Sequence, residues 1–455
     1  MNAGLSRWTI SYFAAALAAF LLAQILMVLG FAYPAEPLFA AHTLLVVHLL
    51  TIGWLTLLML GALLQFVPVL TGKGAIGDRA GLIGLVAIGI GLILMLTGFF
   101  ALGGTVAKIP QAALPIGGGF VLIGLVTIAI PLGRGLAESR PLALPARFVA
   151  VGLSFLVLTA CLGLSFGVIL AWPERFPSAD WLARGLPLHF ASGLVGWFTL
   201  TAMGVTYRLL SMFMLSPQDD TRLGNVILAL AAAALGLIWL SAVLAGPPEQ
   251  AITRAGSLVL VLALALYLAD MVRIFARRRR PVLELNSRAG AAALLCLALF
   301  LPAFTYLTLV GRLGAFAGPI GYLFFFGWLS GLGLSQLYKI VPFLTWLERY
   351  GPRLGKEPVP RVQDLISETR AAPWFALYFL AVLFGTIAGF LNRPLLWRGA
   401  IFVHLVASLF IVRELWRARS ARPAAASAAA GAASSTGQSP ASSGETAGHW
   451  KGTPA

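Results

Sequence analysis

The chain has 455 residues, 59% of them hydrophobic and only 11% charged, with a mean hydropathy of +0.91. A soluble domain of this size cannot hide so much apolar surface, so the composition excludes one. The net charge of +16 reflects topology and anionic lipid headgroups, and does not point to nucleic acid.

A helix needs roughly 20 apolar residues to cross a bilayer core. Twelve such runs follow along the chain. The first, 8–33, has no small-residue cleavage site after its apolar stretch and reads as a retained span. The second, 40–70, carries His42 and His48. Runs 80–102, 111–132 and 147–172 come next, with Cys161 in the last of them. The sixth, 185–215, carries His189. Then follow 222–245, 252–275 and 288–310, the last holding Cys296. The tenth, 319–347, begins close to Tyr322. The final two are 373–392 and 396–416, and His404 lies on the latter. The two cysteines read as small apolar packing residues. A membrane barrel would show shorter, alternating segments. The expected fold is therefore an all-α polytopic membrane protein of about twelve helices. Residues 1–419 form the transmembrane domain, and 420–455, rich in Ala, Ser and Gly, read as a disordered tail that includes His449.

Basic residues set the orientation. With the amino terminus cytoplasmic, 25 of the 32 Lys and Arg residues fall on the cytoplasmic side and 7 opposite. Both termini are thus expected in the cytoplasm. The run Arg277–Arg278–Arg279–Arg280 reads as a stop signal after the eighth helix.

Helices 2, 6 and 10 share a pattern. Each holds a Gly–Trp pair: Gly53–Trp54, Gly196–Trp197 and Gly327–Trp328. Counting from Trp, a hydroxyl follows at +2 (Thr56, Thr199, Ser330) and a small residue at +7 (Gly61, Gly204, Ser335). A long polar residue stands at +11 (Gln65, Arg208, Lys339), and +14 is Pro68, Ser211 or Pro342. At 100° per residue the Trp, +7, +11 and +14 positions form one stripe. With the pattern returning every fourth helix, the spacing implies three units of four.

Imidazoles in a bilayer are costly unless bonded or ligated, so His42, His48, His189 and His404 are functional candidates. All four are expected in the outer half. His48 and His404 are the deeper pair, and His42 and His189 lie nearer the interface. His42 and His48 are six residues apart, about 240° around a helix, so they cannot share one site. No Asp or Glu falls in the middle of a predicted helix. Asp270 comes nearest and is placed to pair with Arg273. This disfavours proton pumping and carboxylate-based cation coupling.

Twelve helices, a threefold repeat and a histidine early in helix 2 resemble subunit I of the haem–copper oxidases and nitric oxide reductases. The stretch from His48 through Ile52–Gly53–Trp54 to Gln65 and Pro68 is similar to that family's haem-bearing helix 2. The resemblance spans about 8–416 and implies a low-spin haem on His48. Counting from the helix-end prolines, the family's second axial ligand falls on Tyr322, and its high-spin haem ligand on Ile320. His189 matches one copper ligand, but helix 7 has no histidine. What the resemblance implies is a degenerate paralogue holding one haem b on His48. Tyr322, His404 or an open face would lie opposite. Copper is disfavoured and no binuclear oxygen-reducing centre can form. Electron transfer, or binding of nitric oxide or oxygen, would follow, with a respiratory-chain or cytochrome partner in a bacterial inner membrane. His42 and His189, with Met203, Met212 and Met214, are the residues a metal-handling role would use. The competing expectation is a cofactor-free scaffold, an assembly factor for a respiratory complex, or a small-solute pathway. In that pathway Arg208 and Lys339 would stand at the inner ends. Snorkelling of those two side chains is the simpler expectation.

Overall fold

The computed structural model describes residues 7–72, 78–104, 110–176, 179–217, 221–244 and 247–420. Lys73, Lys108 and the tail from 421 onward, with His449, lie outside the described residues. Among the described residues every regular element is helical, and twelve helices are long and apolar enough to cross a membrane. They are α1 (Thr9–Leu29), α2 (Ala41–Thr71), α3 (Arg79–Leu102), α4 (Ala113–Ala137), α5 (Leu144–Ala171) and α6 (Asp180–Met214). Then come α7 (Arg222–Leu244), α8 (Pro248–Ala276), α9 (Leu285–Leu309), α10 (Gly314–Arg349), α11 (Glu368–Phe390) and α12 (Pro394–Ser420). Twelve crossings put the ends of α1 and α12 on one face, called here the terminal face. The opposite face is the distal one.

Three helices, α6, α10 and α11, begin five residues earlier than hydropathy indicates, α11 at Glu368 rather than 373. α6 starts at Asp180 rather than 185, because the polar residues Asp180 and Arg184 join the helix at its wet end. His189 consequently lies nine residues into α6. α10 starts at Gly314, through a short 3₁₀ turn.

The packing recurs every four helices. α1 lies on α2, α5 on α6 and α9 on α10. α3 pairs with α4, α7 with α8 and α11 with α12. The fourth helix of each group meets the first of the next: α4 on α5, α8 on α9, and α12 back on α1. The bundle is therefore a closed ring, with α2, α6 and α10 innermost. These three are the most buried spans, at 67%, 78% and 67% of their central windows, against 28–50% for the rest.

Each inner helix contains an eight-residue π-helical segment: Leu49–Thr56, Ser192–Thr199 and Leu323–Ser330. π-Helix normally survives only as single-turn bulges, often at functional sites. Here each segment contains the Gly–Trp pair and ends on the +2 hydroxyl residue. The glycines permit close approach to the preceding helix. A Cβ on Gly53 would come 2.8 Å from the Ala19 Cβ on α1, on Gly196 2.3 Å from the Phe155 Cγ on α5, and on Gly327 2.8 Å from the Cys296 Cβ on α9.

The tryptophans, all buried, link the inner helices. Trp54 Nε1 donates to Ser330 Oγ at 2.8 Å, joining α2 to α10. Trp197 Nε1 donates to Thr56 Oγ1 at 3.1 Å, joining α6 to α2. The third link of this cycle would run from Trp328 to Thr199, and it is not made. Trp328 Nε1 has no partner, and Thr199 Oγ1 donates instead to Leu194 O within its own helix at 2.7 Å.

Several polar groups near the terminal face are paired. Asp270 is buried, accepts from Tyr207 Oη at 3.0 Å and lies 3.4 Å from Arg273. Lys339, for which snorkelling was the simpler expectation, ends in an ion pair with Glu284, which Arg280 also contacts. Glu284, the residue that precedes α9, places its carboxylate within reach of the Lys339 ammonium.

Candidate functional site

The four membrane histidines fall into three separate environments. His42 is held by Glu36, 2.7 Å from Nδ1, and its ring lies against Phe31 and Phe100. It is a paired residue at the distal rim.

His48 lies against the α2–α3 pair and His189 against the α5–α6 pair. His48 is the last residue before the π segment of α2. Its Nδ1 lies 2.7 Å from Leu44 O, one turn back in its own helix, and its ring lies against Phe99 of α3 at 4.9 Å. His189 reaches across to α5, with Nδ1 3.0 Å from Thr159 O. Gly163 on α5 makes room for this ring, since a Cβ there would stand 3.0 Å from His189 Cε1. Both imidazoles are half-buried.

Both rings thus share one arrangement. A carbonyl accepts from Nδ1–H, which fixes the tautomer and leaves Nε2 as a lone-pair donor without a protein partner among the described residues. Metal-ligating histidines show this arrangement, because a second-shell carbonyl orients the ring and raises its basicity.

His404 is different. It is fully buried on α12 and enclosed by aromatic rings: Tyr378 at 4.4 Å, Phe326 at 5.1 Å, Phe20 at 6.1 Å and Tyr322 at 6.2 Å between centroids. Neither ring nitrogen has a hydrogen-bond partner, and Tyr322 Oη and Trp397 Nε1 beside it are also unpartnered. Gly385 and Gly389 on α11 receive the Tyr322 and Trp397 rings.

No family model and no curated protein matches this chain. Function therefore has to be argued from these residues alone.

The structure brings Tyr322 and His404 together, as neighbours on α10 and α12. His48 makes no ring contact with either among the described residues. The reason lies in the repeat. His48 and Tyr322 are both six residues before their tryptophans, so equivalent helices turn them into different groups of the ring: His48 toward α3, Tyr322 toward α11 and α12. Phe326 and Phe20 occupy the approach to His404. Among the described residues, no group of three or more His, Cys, Asp or Glu side chains is gathered for a metal.

A flat macrocycle fits the two places unequally. Around His404, four rings close in and no carbonyl supports an axial imidazole. His48 and His189 are half-buried, and each has one nitrogen supported by a backbone carbonyl. Residues that sequence reasoning missed are Phe99, Gly163 and the Thr159 carbonyl. Only Gly163 left a trace, as a glycine in mid-helix where packing favours small residues.

Proposed function

We propose that this protein is a membrane haem protein of the haem–copper oxidase subunit I type, with one haem b held between α2, α3, α5 and α6. His48 would be one axial ligand and His189 the other. The observation that supports this reading is the shared state of those imidazoles: Nδ1 on a backbone carbonyl, Nε2 without a partner among the described residues, both half-buried. The haem would supply one-electron chemistry at a potential set by its ligands and surroundings. This chain's own residues orient the two imidazoles, through Leu44 O and Thr159 O, and surround them with apolar helices that exclude bulk water. Two firm imidazole ligands favour electron transfer over gas binding. The expected site is the inner membrane of a bacterium, beside a respiratory or cytochrome partner.

The test is the optical spectrum of the detergent-purified full chain, expressed with ample haem and recorded oxidised and dithionite-reduced. Sharp b-type bands that vanish in His48→Ala and change in His189→Ala support the reading. A spectrum without a Soret band overturns it. One observation favours a second reading. Phe20, Phe326 and Tyr378 fill the α10–α12 side around His404, which suits a cofactor-free scaffold or assembly factor. The same featureless spectrum would select that reading.

A further inference from the structure

A groove on the terminal-face half of the α4–α5 pair belongs to none of the histidine environments. Its walls are apolar and its volume is about 480 Å³, within the roughly 300–1,000 Å³ of small-molecule sites. Ala129, Gly133 and Ala137 of α4 face Ala150 and Ser154 of α5 along it, and Arg140 stands at its mouth. A Cβ on Gly133 would meet nothing within 4 Å, so the floor is open there.

The dimensions say what fits. Along α4 the groove runs from Val126 to Ala137, about 16 Å at 1.5 Å per residue. That is close to half of the roughly 30 Å hydrocarbon core, the reach of a chain in one leaflet. Arg140 follows just past the last turn of α4, at headgroup level. It is exposed and has no carboxylate partner among the described residues. An apolar trough one leaflet long, closed by a single free guanidinium, complements an acyl chain that ends in a phosphate.

We infer that the α4–α5 groove holds one anionic phospholipid, its acyl chain between Gly133 and Ser154 and its phosphate on Arg140. The lipid seals the seam between the first and second groups of four helices. This assignment is independent of haem binding.

The experiment uses the full chain in detergent, exchanged into either phosphatidylglycerol or phosphatidylcholine, with retained lipid counted by native mass spectrometry. The wild type should keep one phosphatidylglycerol, preferred about fivefold over phosphatidylcholine, as one basic residue near a headgroup provides. Arg140→Gln should keep a lipid and lose the preference. Gly133→Leu, which fills the trough, should lose the lipid of either kind. Equal retention of both lipids by the wild type overturns the proposal, as does an unchanged preference in Arg140→Gln or undiminished lipid in Gly133→Leu. A dimer that dissociates in Gly133→Leu would assign the groove to a second copy of the chain instead. Should Gly133→Leu fail to fold, the Arg140→Gln comparison decides alone.

Discussion

His48 and His404 start from similar places. Each lies within about three turns of the distal end of its helix, inside an apolar bundle and against aromatic neighbours. Their nitrogens are treated in opposite ways. His48 has one nitrogen on a carbonyl and no partner for the other among the described residues, whereas His404 has both nitrogens enclosed and unbonded. Burial alone therefore says little about whether a membrane histidine is a ligand. The bonding of its second nitrogen says more, because that bond fixes which nitrogen can donate to a metal.

The contrast yields predictions of decreasing size. The largest is at the His48–His189 pair. His48→Ala is expected to abolish the Soret band of purified protein, and full haem retention would break the comparison at its stronger end. Next, His189→Ala should leave one face of the iron open, so carbon monoxide added to the reduced variant should shift the spectrum where it does not in the wild type. A variant that stays unresponsive would remove His189 from the site.

His404→Leu tests the other end. Burying an unpartnered polar group costs about 1–3 kcal/mol in proteins, so an apolar side chain of similar size should hold or raise the melting temperature. A marked fall would mean that His404 is bonded to something, such as a buried water. The smallest effect concerns the tryptophans. Trp54→Phe removes a hydrogen bond and strands Ser330, at about 1 kcal/mol, while Trp328→Phe removes an N–H that has no partner. Thermal or denaturant unfolding of the two variants should separate them, and equal losses would show that the third link forms after all.

Most of the fold was legible in the sequence. Hydropathy located all twelve helices, because a bilayer demands long apolar runs and little else resembles them. The Gly–Trp–hydroxyl pattern marked the inner helices. It did not disclose their π-helical turns, since nothing in side-chain composition states whether an N–H bonds four or five residues back. The site was less legible. His48 and His189 were both visible as candidates, but the carbonyls that orient their rings were not. His404 and Tyr322 were expected opposite His48. Their actual direction depends on how equivalent helices are rotated about the bundle axis, and sequence alone carries no azimuth between helices. Thr159 contributes through its backbone carbonyl, which any residue could supply.

The tryptophan cycle has a mechanical consequence. Three bodies joined pairwise by three struts form a rigid triangle, and removing one strut leaves a linkage. α2 is the body fastened on both sides, to α10 through Trp54 and to α6 through Trp197. The missing strut lies between α6 and α10. Scissoring of those two helices about α2 is the one relative motion that these tryptophan hydrogen bonds leave unrestrained, and His48 lies on the pivot and His189 on one blade.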